Sequence, residues 1–329
     1  MISVRPYEIN QVNNVIGHIV DQHPQSNSSI LEIIKNSASS SASFRRMACY
    51  AINKLTAADN YVPDDIYCFI DDALMISNDG SGYADPDLWS ARLYETYLCL
   101  FRHQLYNFRY RIDSSTLSAM QLSFVGGNNY FLEDPFDNRY AGDGLCFSID
   151  RTERENWFSS PAEKIVFLRG TRTIGGNIIW PATRGGFNSK RSKQFDDRID
   201  VALFDIKNYY SNNSYKSFEN NPDSSVAKQW RKWLDMFRDF ETFSDFFCLT
   251  GSFVNDDYSI PNICSSNLEA LTGYPDRITE TTKSCSSFIA DTLLKLVKNR
   301  TKKIYVEVFN MEESTFEEKW VKSICNLDD

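Results

Sequence analysis

The hydrophobic period of the chain changes once, near Asp113-Ser114-Ser115, and this constrains the fold more than any single motif. Before that point the pattern is helical. Ile9, Val12, Ile16, Ile19 and Val20 recur mostly three or four residues apart, and His23-Pro24 closes the run. Further helices are predicted over 29–34, 44–55 and 64–76, followed by a loop at Asn78-Asp79-Gly80-Ser81-Gly82. The longest helix of this part is predicted from Asp85, read as its N-cap with Pro86 in the first turn, to about residue 110. Beyond the change, short alternating or apolar runs at 120–125, 145–149, 165–168 and 177–180 read as strands of a small antiparallel sheet. Helices return over 197–210, 225–247, 284–298 and 313–324, and the polar stretch 211–223 reads as a flexible surface loop. Strands followed by helices predict an α+β fold, mostly helical, rather than a wound parallel sheet. The expected division is a helical region over 1–115 and an α+β domain over 116–329.

Composition narrows the function. A hydrophobic content of 42%, with 14% aromatic residues, supplies a core and excludes global disorder. No apolar run approaches the ~20 residues that span a bilayer. The first residues lack the basic start and apolar block of a signal peptide, so cytoplasmic residence without a membrane partner is expected. Eight cysteines are dispersed without metal-ligand spacing and are expected to be buried, reduced and inert. The net charge of −9 argues against broad coating of DNA or membrane. One stretch runs against it: Arg169, Arg172, Arg184, Lys190, Arg191 and Lys193 lie among Gly175, Gly176, Gly185 and Gly186 without an acid between. Cations beside glycines suit an anion.

His18, His23 and His103 all precede residue 116. A catalytic site confined to the later region would therefore use Asp, Glu, Lys, Tyr or Cys as its base. Ser-His-Asp, Cys-His and histidine-rich metal sites are excluded there. Neither glycine pair makes a nucleotide-binding fingerprint, and no cofactor or metal is assigned. The pairs read as hairpin or bulge glycines, or as a loop whose N–H groups face an anion near Arg184 and Arg191. Trp230, Trp233, Leu234, Phe237, Phe240 and Phe247 form a helical stripe that reads as core, with a base-stacking or partner groove as the alternative.

The candidate ligand-binding residues are Arg184, Asn188, Arg191, Asp197, Arg198 and Asp200. Three readings stay open for them. Arg198 can pair with Asp205 or another carboxylate in a buried network that holds a helix to the sheet. The group can receive a nucleotide or nucleic-acid phosphate, or its carboxylates can hold Mg²⁺ for hydrolysis. Asp196 or Asp197 is the expected cap of the following helix, whose apolar stripe is Ile199, Ala202, Leu203, Ile206 and Tyr210.

The order Ile174-Gly175-Gly176-Asn177-Ile178-Ile179-Trp180-Pro181, Asn188-Ser189-Lys190-Arg191 and Asp197-Arg198-Ile199-Asp200-Val201-Ala202-Leu203 resembles a bacterial family known as a domain of unknown function. Lys207-Asn208-Tyr209-Tyr210, Asp239-Phe240 and Phe246-Phe247-Cys248-Leu249 continue the likeness, which covers about residues 145–305. Ser192 stands where the family pattern has glycine, and Ile199 where it has phenylalanine. The first argues against a role that needs a positive-φ turn or close ligand approach at that point; the second is an exchange a core absorbs. The resemblance implies where a site lies and no chemistry. Two functions remain: a binding or regulatory protein for a nucleotide, a nucleic acid or a protein partner, and a histidine-independent hydrolase or transferase acting on a phosphate-bearing substrate.

Overall fold

A computed structural model describes residues 41–57, 61–63, 66, 90–108, 112, 114–125, 129–147, 156–182, 187–212, 215–275 and 286–325. The helices expected before residue 35, nearly all of 64–76, the loop at 78–82, Asp85 and Pro86 lie outside them. The architecture is α+β. β1 (Gln121–Val125), β2 (Asn129–Glu133), β3 (Arg139–Gly144) and β4 (Asn177–Pro181) form an antiparallel meander with spatial order equal to chain order. Leu122 lies opposite Leu132, Leu132 opposite Tyr140, and Ala141 opposite Trp180.

Side chains close both open edges, where unpaired backbone groups would otherwise invite other strands. On β1, Asn53 of helix α1 (Ser41–Thr56) imitates a strand. Its Oδ1 accepts from Leu122 N at 2.7 Å and its Nδ2 donates to Leu122 O at 3.0 Å. On β4, Tyr97 of α2 (Ala91–Phe108) donates to Asn177 O at 2.5 Å. This helix is described from Ala91, and Ser90 Oγ accepts from Leu93 N at 3.1 Å in the manner of a cap.

Two expected strands are not strands. Ile165 to Leu168 lie inside helix α4 (Pro161–Thr171), after the short helix α3 (Ser114–Ser118). Ser160 caps α4 by accepting from Glu163 N, Glu163 accepts from Ser159 N, and Pro161 fits the first turn. That start signal overrides a four-residue apolar run, which has no period of its own. Leu145 to Phe147 form irregular chain, with Leu145 N bonded to Gly176 O at 2.8 Å.

The later helices are α5 (Phe187–Gln194), α6 (Ile199–Asn212), α7 (Ser225–Leu234), α8 (Phe240–Phe246), α9 (Ser286–Lys302) and α10 (Glu313–Trp320). The expected single helix over 225–247 is thus two. Arg238 has φ 28°, and Asp239 restarts the helix by accepting from Thr242 N at 2.8 Å. The stretch 211–223 is exposed at Ser211, Lys216 and 219–223, but it is anchored in between. Tyr215, Ser217 and Phe218 are buried, because Asp205 accepts from Lys216 N, Ser217 N, Ser217 Oγ and Tyr274 OH. Burial pushes the Asp205 pKa up despite those donors.

One buried core joins the helices before residue 116 to the sheet and the helices after it. The aromatic stripe lies in that core: Trp230 meets Trp180 edge-on at 5.7 Å, and Trp233 lies 5.0 Å from Tyr140. Phe237 contacts Phe243, Phe246 and Phe247. Cys49, Cys99, Cys146, Cys248 and Cys264 are buried free thiols, whereas Cys325, expected to be buried, is exposed. Burial pushes Cys146 up to about 12 and Cys248 to about 11.

Candidate functional site

Three of the six expected site residues, Arg191, Arg198 and Asp200, enter two internal ion pairs. Arg191, at the end of α5, donates to Gly144 O at 2.6 Å and to Asp143 Oδ1 at 3.0 Å, tying that helix to the end of β3. Arg198, fully buried before α6, makes a two-pronged contact with Asp200 through Nε and Nη2 at 3.1 and 2.5 Å. Its Nη2 also donates to Asn262 Oδ1 at 2.8 Å, while Asp200 Oδ2 accepts from Ile263 N at 3.1 Å. Burial lowers the Arg198 pKa, but the facing Asp200 outweighs it and the net shift is upward. The carboxylate that Arg198 meets is Asp200, not Asp205.

Asp196 and Asp197 occupy the turn between the two pairs, with φ 49° and 60°, and Asp197 N donates to Arg191 O at 3.1 Å. Arg198 stands between them and the first residue of α6. Asn188 lies in α5, with only its backbone described, and Arg184 falls outside the described residues together with Gly185 and Gly186. Of the remaining cations of the run, Arg169 is buried, Arg172 half-buried and Lys193 exposed. Among the described residues no cluster of three or more His, Cys, Asp or Glu is placed to hold a metal ion.

Gly175 and Gly176 serve neither as hairpin glycines nor as an anion loop. They form a 3-10 turn pressed against α9, where a Cβ on Gly175 would lie 2.4 Å from Val297 O and 2.6 Å from Thr301 N. Close approach, rather than a left-handed backbone, requires glycine there. The carbonyls of the turn are claimed by Arg300, fully buried in α9, which donates to Ile174 O, Gly175 O, Asn177 O and Phe247 O. Only the last-turn position of Arg300 could have drawn notice to it in the sequence.

A second cationic place is absent from the sequence expectations. An open groove of about 470 Å³ runs between the β2–β3 turn, the end of β4 and one face of α7. Arg139, Lys228 and Lys232 line it with Ser225, Gln229 and Asn138, against the single acid Asp137. Lys228 and Lys232 have no ion pair among the described residues, and Arg139 only a loose one, 3.8 Å from Glu133. Phe136, 66% exposed, stands at the rim with Lys232 Nζ 5.2 Å from its ring centre. The i, i+4 spacing of Lys228 and Lys232 was the available signal, but their meeting with Arg139 depends on sheet and helix packing.

The chain is therefore an α+β protein in which a four-stranded meander is clasped at both edges by helical side chains. It belongs to a family of unknown function, DUF6994, whose model matches residues 70–304. The match starts well before the expected 145, so the relationship takes in α2 as well as the sheet. No curated protein and no solved structure matches the chain. Among the described residues no helix is long and apolar enough to cross a membrane.

Proposed function

We propose that the protein is a binding protein that recruits a phosphate-bearing anionic ligand at the groove of Arg139, Lys228 and Lys232. The observation that carries this reading is the concentration of exposed, weakly opposed cations in one concavity of a chain whose net charge is −9. The groove's volume falls within the ~300–1,000 Å³ of ordinary ligand sites. In this reading Arg191 and Arg198 are framework. Their guanidinium groups already engage Asp143 and Asp200, and the ligand-facing surface moves from 169–200 to the neighbouring groove. The alternative of a hydrolase or transferase draws little from this geometry, since Asp200 is spent on Arg198 and the Cys146 thiol is held protonated by burial.

Inorganic polyphosphate tests the reading. Titration is expected to raise the melting temperature with ligand concentration by mass action. The Lys228→Gln/Lys232→Gln double variant is expected to abolish that shift with its own unliganded melt unchanged. A shift of wild-type size in the double variant would remove the groove from the account.

A further inference from the structure

Among the exposed aromatic residues that are described, Phe136 is the one beside a groove cation, Lys232. Asp134 fixes the turn that carries it: Oδ1 accepts from Phe136 N at 2.8 Å and Asn138 N at 3.0 Å, while Oδ2 accepts from Asn138 Nδ2 and Tyr140 OH. Asp137 follows in the left-handed region, φ 61°, and the turn is closed by Asp134 N donating to Asn138 O and Asp137 N donating to Asp134 O, both at 3.1 Å. The ring is thus presented by a rigid turn rather than left out by a loose one. Its setting is the rim of the groove, where the Lys232 ammonium faces the ring.

A rigid exposed ring beside a cationic track has the chemistry of a base-stacking platform. Every nucleobase has a flat face to lay on a phenyl ring, and the sugar-phosphate chain supplies regularly spaced anions. Duplex bases are already stacked on one another and offer no free face. An acidic peptide would satisfy Lys228, Lys232 and Arg139 but would leave Phe136 without a planar partner.

Resting on the anion-binding reading above, we infer that the groove takes single-stranded nucleic acid, with phosphates on Arg139, Lys228 and Lys232 and a base on Phe136. The salt dependence then follows from the phosphate count: three contacts to a single strand give a log–log slope of about −2.

The test compares a short oligothymidylate, the duplex containing it, inorganic polyphosphate and polyglutamate on the wild type, Phe136→Ala and Phe136→Trp. Because the ring is mostly in solvent, all three proteins are expected to melt alike. The wild type is expected to prefer the single strand to its duplex. Phe136→Ala should weaken oligothymidylate by at least about fivefold, the lower end of a stacking contribution, and leave polyphosphate unchanged, whereas Phe136→Trp restores the affinity. If wild type binds polyphosphate and oligothymidylate but Phe136→Ala changes neither or both equally, the stacking role is overturned while the anion-binding reading stands. Tighter binding of polyglutamate than of oligothymidylate also overturns it, in favour of an acidic protein partner. If none of the polyanions binds, both readings fall together.

Discussion

Arg198 illustrates how a residue with the chemistry of a site can act as framework. Its charge is fully buried, and the fork-to-fork contact with Asp200, supplemented by Asn262, offsets the desolvation. Removing one partner strands the other, which typically destabilises by ~3–5 kcal/mol. Asp200→Asn is therefore expected to lower the melting temperature sharply, and urea unfolding should register a loss of that order. A wild-type melt for Asp200→Asn would make the pair dispensable and reopen the carboxylate to another use. The presence of a polar group over 188–200 was legible from residue types alone. A buried network was one of its open readings, but the groups that satisfy it were not legible, because Asp143, Gly144 and Asn262 are remote in sequence. Arg300 was less visible still: its partners are backbone carbonyls, which leave no mark in side-chain chemistry.

Among the elements, the β2–β3 turn has the clearest energetic signature. Burial acts to raise the Asp134 pKa, but the bonds from Asn138, Phe136 and Tyr140 together hold it below the usual carboxylate value. A carboxyl depressed in the folded state contributes stability above its unfolded pKa of about 3.9, and that contribution is lost as pH falls through the native value. Asp134→Asn is thus expected to destabilise the protein near neutral pH by ~1–3 kcal/mol and to flatten the acid limb of a stability-against-pH curve. An acid limb as steep as that of the wild type would detach Asp134 from the turn's stability. Strong start signals made most helices legible, with α6 and α9 near their expected bounds. β2 and β3 were not, because Asp143 and the glycines at 142 and 144 hide a strand whose pairing is supplied by β4. The break at Arg238 escaped notice because the aromatic period continues across it, and every ring involved reaches the same core.

At the scale of the whole molecule, the change of period near residue 113 marks a change of element type and not a gap in the core. Asn53 and Tyr97, from the helical part, complete the two sheet edges, and the family match begins at residue 70. Among the described residues, Arg139, Lys228 and Lys232 gather in one groove of a chain whose net charge is −9, and the functional account rests on that contrast. Lysine acetylation read by mass spectrometry, with and without inorganic polyphosphate, measures it residue by residue. Lys228 and Lys232 are predicted to lose reactivity in the presence of polyphosphate while exposed Lys193 keeps its own. Protection at Lys193 with Lys228 and Lys232 unchanged would contradict the account and return the anion to the 169–195 run.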